Sequence, residues 1–177
     1  MALHFNIFGA PGSGKSTMRS RLFYELKKKQ YKVEEITEHA KDLTYSEDFT
    51  SLSDQVLMLG KQHHPHKVLD NQVEYIITDS PFIMGCTYIQ EDCTYKDEII
   101  SLARAMNESY ESINIFLERN HDYQEYGRNQ TEEESNVKSE EIKQFLRDSN
   151  IDFVTVKSGE KFIKKALKLI KKHNKGN

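Results

Sequence analysis

A glycine-rich loop near the amino terminus carries the clearest chemistry in the sequence. Gly9, Gly12 and Gly14 are followed directly by Lys15 and Ser16. Glycine lets the backbone curl without side-chain clashes, so that successive N–H groups point inward at phosphate oxygens. The lysine would reach the β- and γ-phosphates of a nucleotide, and the serine hydroxyl would bind Mg²⁺. The pattern predicts a nucleotide site, with ATP as the default donor, made by Gly9, Ala10, Pro11, Gly12, Ser13, Gly14, Lys15, Ser16 and Thr17.

A carboxylate after a later apolar run would complete the metal site. Asp79 follows the run from Glu74 to Thr78 and precedes Ser80 and Pro81, where the chain must leave a sheet. Mg²⁺ prefers oxygen ligands and bridges the phosphates of a bound nucleotide. We therefore predict that Ser16 and Asp79 hold Mg²⁺. A cap for a helix that begins after Pro81 is the alternative role of Asp79.

A third acidic residue favours a second substrate over simple hydrolysis. Glu38 ends the run that contains Glu34 and Glu35, and the carboxyl ends of parallel strands line the ligand crevice of an open sheet. A carboxylate there can accept a proton from a substrate hydroxyl or orient that hydroxyl. Glu34 and Glu35, inside the strand, are expected to face solvent or a sheet neighbour. A solvated strand end is the alternative for Glu38.

Two arginines belong to a polar segment in the second half of the chain. Arg119 and Arg128 lie within residues 119–138, which we predict to form a lid. Arginine is an always charged, planar donor that stabilises the charge of a transferring phosphoryl group. A closing lid would also keep water away from the reaction. An ordinary surface position is the alternative for each arginine, and Lys138 is a weaker candidate.

Five short apolar runs must position these residues. They are separated by enough chain for a helix each, which predicts an α/β fold with a parallel sheet. Their nearly continuous apolar character is typical of strands that are covered on both faces. The runs are Leu3 to Phe8, Tyr31 to Ile36, Val73 to Thr78, Ile113 to Leu117 and Phe153 to Val156.

The helices follow from apolar spacing and from capping residues. We predict helices from Lys15 to Gln30, with Leu22, Phe23 and Leu26 on one face, and from Glu160 to His173. A middle helix from about Leu52 meets Gly60 and Pro65, where we expect a kink or an early end. Thr131 and Glu134 have the spacing of a capping box, so a helix should begin there.

The length and composition predict one domain with a small net charge. The chain has 177 residues and a net charge of −3, which predicts a single domain over 1–177 and gives no global reason to expect nucleic acid or membrane. The first eight residues are too short an apolar run for a signal peptide or membrane span, so a cytoplasmic location is expected. Cys86 and Cys93 fit no metal or redox spacing and are predicted to be reduced thiols.

These motifs together resemble the P-loop nucleoside and nucleotide kinases, and more closely the small phage kinases that are similar to nicotinamide riboside kinases. The likeness spans nearly the whole chain and is carried by the glycine loop, by residues 35–42, by residues 77–82 and by residues 116–134. It implies a three-layer P-loop NTPase fold with a five-stranded parallel sheet and an Arg-bearing lid. It also implies ATP and Mg²⁺ as cofactors, and the host cytoplasm as the location if a phage encodes the chain.

The resemblance assigns residues to the acceptor side of such a site. Glu38 matches the general base of deoxynucleoside kinases, and Gln55 and Gln62 lie on the segment that resembles their acceptor-binding helix. Ser80 departs from the pattern, because many deoxynucleoside kinases have an arginine there, and this puts the usual contact to a nucleoside 5′-hydroxyl in doubt. The implied activity is transfer of the γ-phosphoryl group of ATP to a nucleoside, a nucleotide, nicotinamide riboside or a modified base in DNA.

Several readings stay open at the level of sequence. An ATPase or switch protein that acts on a macromolecular partner is the main alternative function. The stretch from Lys157 holds eight lysines against Glu160 alone, a net charge of +7, which could attract nucleic acid or form the solvated face of a terminal helix. A homodimer is compatible with everything above. His63, His64 and His66 are too close together to bind one metal ion without a strained turn.

Overall fold

A computed structural model describes residues 1–124 and 130–176, and its centre is a five-stranded parallel sheet. The spatial order of the strands is β2-β3-β1-β4-β5, and every described pairing is parallel. The sequence prediction of a five-stranded parallel sheet is confirmed. The strands are β1 (Leu3–Phe8), β2 (Val33–Ile36), β3 (Tyr75–Thr78), β4 (Ser112–Glu118) and β5 (Val154–Lys157).

Seven helices and one 3₁₀ segment connect and cover the strands in the described part of the chain. The 3₁₀ segment spans Phe82–Tyr88 and follows β3. The helices are α1 (Lys15–Lys28), α2 (His39–Tyr45), α3 (Phe49–Ser53), α4 (Gln55–Leu69), α5 (Lys96–Glu108), α6 (Glu132–Asp148) and α7 (Glu160–Gly176).

The sheet separates two hydrophobic layers. On one face, Phe5 and Ile7 of β1 pack with residues of α1 and α7 such as Leu22 and Phe162, all four fully buried. On the other face, Phe8 belongs to a cluster formed by α4, α5, α6 and the 3₁₀ segment. The alternating side chains of a strand point to opposite faces, so one strand supplies both cores. The fold is therefore three-layered, with β1 in the middle of the sheet.

The middle helical region differs from the prediction at both of its ends. The expected single helix from Leu52 is divided at Asp54, whose carboxylate accepts hydrogen bonds from the backbone N–H groups of Val56 and Leu57 and so begins α4. The expected early end is wrong, because α4 continues through Pro65 to Leu69. The buried side chains of Leu59, Gln62 and His66 hold this helix against the core, which offsets the hydrogen bond lost with the N–H that proline lacks.

The segment predicted to be a lid is described only in part. Thr131 and Glu134 form the predicted capping box, with each side chain bonded to the backbone of the other, and α6 begins at Glu132. Arg128 lies outside the described residues. The role of 119–138 as a lid stays a prediction.

The terminal helix α7 has one apolar and one basic side. Phe162, Ile163, Ala166 and Ile170 are buried and form the apolar side, and Leu167 is partly buried beside them. The opposite side presents exposed lysines at alternating spacings of three and four residues, which places them in one row along the helix. We call this row the lysine face; it consists of Lys161, Lys164, Lys168, Lys171 and Lys175.

Two smaller predictions concern cysteine chemistry and membranes. Cys86 and Cys93 are both free thiols, as expected, and burial raises the pKa of Cys86 to about 11, so this thiol is not activated. None of the helices within the described residues combines the length and the apolar composition that crossing a bilayer requires.

Candidate nucleotide and acceptor site

The glycine loop between β1 and α1 has the backbone conformation that a phosphate cradle requires. Gly9 and Gly14 have φ angles of 150° and 89°, which residues with a side chain rarely adopt. A Cβ atom at Gly9 would lie 2.8 Å from both the Leu117 carbonyl oxygen and the Ser13 hydroxyl oxygen. Glycine at this position is therefore fixed by close packing of the loop against β4.

The start of α1 leaves donors open for an anion. Gly14 is the N-cap and makes no side-chain capping bond, so the first N–H groups of the helix point out of its end. The hydroxyl oxygen of Ser13 is buried and has no hydrogen-bond partner. A phosphate group would satisfy the open N–H donors of α1, so the loop fits the nucleotide that its sequence predicts.

The lysine of the loop is folded back onto it. The Lys15 Nζ donates to the carbonyl oxygens of Gly9 and Ala10, at 2.7 Å and 3.0 Å. Ser16 and Thr17 are exposed on the first turn of α1. Gly9, Ala10 and Ser13 are buried behind the surface of the loop, while Pro11, Gly12, Gly14, Lys15, Ser16 and Thr17 line a cavity.

This cavity is large and extends well beyond the loop. Its volume is about 1180 Å³. Glu38 and Asp79, which follow β2 and β3, line this cavity together with Lys15. Parallel strands bring their carboxyl ends to one edge of the sheet, which is why residues 41 positions apart meet there. The structure thus brings together the loop and both predicted carboxylates.

Arg19 connects the two strand ends to α1, an arrangement that the sequence analysis missed. Its guanidinium donates to an Asp79 carboxylate oxygen at 2.7 Å and to a Glu35 carboxylate oxygen at 3.0 Å. The Asp79 side chain is only 5% exposed, and that of Glu35 is 29% exposed. Glu35 therefore faces this buried pair, contrary to the expectation that it faces solvent or a sheet neighbour. Asp79 does not cap a helix, because Pro81 occupies the cap of the 3₁₀ segment.

Glu38 is partly buried among charged groups. Burial raises the pKa of its carboxyl group, and Asp79 raises that pKa too, whereas the positive charges of Lys15, Lys41 and Arg19 lower it. A carboxylate whose pKa is raised by burial holds a proton more readily than an exposed one. Glu38 thus has the environment of a proton acceptor, although the pKa shift alone assigns it no reaction.

A comparison with known families agrees with this geometry. A family model described as an AAA domain matches residues 4–161, which run from β1 to the first turn of α7. The chain belongs to the AAA domain family. This AAA domain is a nucleotide-binding domain with the three-layer P-loop NTPase fold. No curated protein is similar enough to the chain to count as a match.

The two predicted acceptor residues of the AAA domain differ in the hydrogen bonds of their side chains. Gln55 and Gln62 both line it. The amide of Gln62 is bonded to the backbone, since it donates to the Thr37 carbonyl and accepts from the His39 N–H. Gln62 therefore fixes the turn that presents Glu38, while Gln55 reaches only the Leu52 carbonyl of the preceding helix.

Arg119 does not line the cavity. Its guanidinium donates to Glu132 at 2.7 Å and Asn136 at 2.9 Å, both in the first turns of α6, and it lies over the ring of Tyr123. The described structure of the AAA domain therefore does not bring Arg119 to the loop. A different contact links α6 to the nucleotide site, because the Ser135 hydroxyl donates to the Pro11 carbonyl oxygen.

Several other residues at the cavity escaped the sequence analysis. Ser158 and Gly159, between β5 and α7, line it together with His121. The His121 ring would lie 3.3 Å from a Cβ atom at Gly14. These residues come from segments far apart in sequence that carry no recognisable spacing, although Gly159, with its φ of 99°, was a visible turn signal before α7.

Two histidines of α4, His63 and His66, pack in one cluster with His4 and Tyr110. His66 is fully buried, and its Nδ1 lies 3.1 Å from the Nδ1 of His4 in β1. Tyr110 stacks on His4 and contacts the Nε2 of His63 at 2.9 Å. Within residues 1–124 and 130–176 of the AAA domain, no group of three potential ligands is placed to hold a metal ion.

Proposed function

We propose that this AAA domain transfers the γ-phosphoryl group of ATP to a hydroxyl group of a nucleoside-like acceptor. One observation carries the proposal. A single cavity contains the phosphate loop, a partly buried carboxylate at Glu38 and a further chamber formed by α2, α3, α4 and the 3₁₀ segment. A protein that only hydrolyses ATP needs no such chamber.

The size of the cavity supports two ligands. Sites for one small molecule usually measure about 300–1,000 Å³, and this cavity measures about 1180 Å³. Its loop end has open N–H donors and hydroxyl groups, whereas its other end contains Leu59, Phe82 and Ile89, all buried. We therefore assign the loop end to the donor and the apolar end to the acceptor.

Glu38 provides the chemistry that joins the two ends. In the proposed reaction its carboxylate accepts the proton of the acceptor hydroxyl as the hydroxyl oxygen forms a bond to the γ-phosphorus. The bond between the γ-phosphorus and the β–γ bridging oxygen breaks, and ADP leaves with that oxygen. Lys15 would turn from the Gly9 and Ala10 carbonyls toward the phosphates.

Ser16 and Asp79 are the residues that would hold Mg²⁺. Both line the cavity, and both offer the oxygen ligands that this ion prefers. When bound, the ion would neutralise charge on the β- and γ-phosphate oxygens. Arg19 keeps the Asp79 carboxylate in place by bonding one of its two oxygens.

The decisive experiment is a Glu38→Gln variant assayed on a panel of acceptors with Mg-ATP. General base catalysis contributes about 10²- to 10⁴-fold, so we expect a loss of that size in acceptor phosphorylation while ATP affinity stays as in the wild type. Glu34→Gln is the matched control, because Glu34 lies on β2, four residues before Glu38, and pairs with Lys27 at the surface.

Two results would count against the proposal. Mass spectrometry that finds no phosphorylated product from any acceptor would refute the kinase function. Slow ATP hydrolysis that a macromolecule stimulates, with Glu38→Gln as active as the wild type, would favour a nucleotide-dependent switch.

A further inference from the structure

The charges on the acceptor end of the cavity are few and balanced. We call this region the acceptor wall, meaning the cavity-lining residues of 38–62 and 82–99. Among the described residues that line the whole cavity, the side chains with a full charge are Lys15, Glu38, Lys41 and Asp79. Only Glu38 and Lys41 belong to the acceptor wall. Its formal charge is therefore zero.

The one cation of the acceptor wall acts electrostatically on Glu38. Lys41 follows Glu38 by three residues, and its charge is one of those that lower the pKa of the Glu38 carboxyl. Arg19, whose partner Asp79 lines the cavity, forms ion pairs with Asp79 and Glu35. Lys138, next to the 3₁₀ segment, donates to the Thr87 carbonyl oxygen and pairs with an acidic residue of its own helix.

A phosphorylated acceptor would find no adequate partner on this wall. A phosphate monoester carries a charge of about −1.5 to −2 near neutral pH. Proteins bind such a group with several cations, most effectively with the fork of an arginine, and an unpaired charge in a closing site is strongly disfavoured. The acceptor wall offers Lys41 alone and places the carboxylate of Glu38 nearby, which would repel a phosphate.

The rest of the acceptor wall suits an uncharged, flat molecule. Apolar and aromatic side chains from three helices and the 3₁₀ segment surround the space, and the side chains of three glutamines, Gln55, Gln62 and Gln90, also line it. Such a surface favours a ring with few hydrogen-bonding groups. The apolar members are Phe49, Leu52, Met58, Leu59, Phe82, Met84, Ile89 and Ile99.

We propose that the acceptor is an uncharged, ring-bearing alcohol of the nucleoside type and not a nucleotide or a nucleic acid. The inference rests on the proposed phosphoryl transfer and narrows its substrate. The carboxylate that takes the proton and the apolar wall that holds the ring select for the hydroxyl compound, and both disfavour its phosphate ester.

The test compares matched acceptors that differ only in one phosphate. Each nucleoside of a panel is assayed beside its own 5′-monophosphate with Mg-ATP and wild-type protein, and products are identified by mass spectrometry. We expect at least one nucleoside to be phosphorylated with a kcat/KM at least about 100-fold above that of its monophosphate, because like charges brought together in a binding site are strongly disfavoured.

The outcomes separate the two proposals. A monophosphate or a DNA oligonucleotide that is phosphorylated as well as or better than the nucleosides would overturn the neutral acceptor and leave the kinase function standing. No product from nucleosides, monophosphates and oligonucleotides, in protein that binds ATP, would instead refute the proposed function.

Discussion

Two buried histidines should make the fold less stable in mild acid. His4 is 2% exposed and His66 is 0% exposed. Their Nδ1 atoms lie 3.1 Å apart, and the Nε2 atom of each ring is buried without a hydrogen-bond partner. Burial, the largest cause, lowers the pKa of His4 to about 4 and that of His66 to about 3. Both rings are therefore neutral in the native protein at pH 5.

The histidines of the unfolded chain take up protons at a higher pH than those of the native protein, and this difference determines how much stability is lost in acid. An exposed histidine has a pKa of about 6.5, so below that pH the unfolded state binds protons that the native state does not. The free energy of unfolding then falls with decreasing pH, by about 1.4 kcal/mol per pH unit for each histidine, until the native pKa is reached. Between pH 7 and pH 5 the loss is about 2 kcal/mol for each ring and about 4 kcal/mol for both.

Urea unfolding at pH 7, 6 and 5 measures this directly. His66→Gln removes one titrating ring, so its unfolding free energy should fall by about 2 kcal/mol less than that of the wild type between pH 7 and pH 5. His64→Gln changes an exposed residue of the same helix and should keep the slope of the wild type. The reasoning is refuted if His66→Gln and the wild type lose stability in parallel.

Three further predictions concern the loop, the buried ion pair and the lysine face. Gly9→Ala should abolish binding of a fluorescent ATP analogue, because the new Cβ atom would lie 2.8 Å from two other atoms. Gly60→Ala is the control, since a Cβ atom there has no neighbour within 4 Å. This variant should keep wild-type binding and raise the unfolding free energy by about 0.5–1 kcal/mol. Arg19→Met leaves the buried Asp79 carboxylate unpaired and should lower the free energy of unfolding in urea by about 3–5 kcal/mol. Glu35→Gln should lower it by only about 1 kcal/mol. A larger loss for Glu35→Gln would contradict the conclusion that Arg19 and Asp79 form the main buried ion pair. If the lysine face attracts nucleic acid, replacing three of its lysines by glutamine lowers the affinity for duplex DNA and flattens the salt dependence of that affinity in fluorescence anisotropy. An equal effect from a control variant with three lysines exchanged elsewhere, which has the same net charge of −6 instead of −3, would contradict a role of that face. The exchanged residues are Lys164, Lys168 and Lys171, and in the control Lys61, Lys67 and Lys96.

Local patterns were enough to predict the central strand β1 and the backbone conformation of the glycine loop. The run Leu3 to Phe8 matches β1 residue for residue, because a central strand covered on both faces leaves an uninterrupted apolar signal. The glycine loop was equally visible, since only glycine fits a backbone with such positive φ angles. In both places the residues of one short segment determine its structure, through the burial of β1 and through the φ angles of the loop glycines.

Long-range pairing explains what the sequence could not predict. Arg19 meets Asp79 across 60 residues, and no spacing along the chain signals that one helix face will point at the end of a particular strand. His4 looked like an ordinary strand residue until α4 brought His66 against it. The early end expected at Pro65 was wrong for the same reason, because the tertiary contacts of α4 outweigh the tendency of proline to end a helix.

Charge compensation links the donor and acceptor halves of the proposed site. The positive charge of Lys15 is the largest influence that opposes burial and lowers the pKa of the Glu38 carboxyl. Phosphates bound at the loop would compensate this charge, so the pKa of Glu38 should rise further once the donor is present. The base would thus become stronger only in the complex that can react. Since the pH profile of kcat reports the bound enzyme and that of kcat/KM for ATP reports the free enzyme, the acidic limb of kcat should lie at the higher pH. An acidic limb of kcat that lies at a lower pH than that of kcat/KM would contradict the proposed effect of the bound donor on the pKa of Glu38.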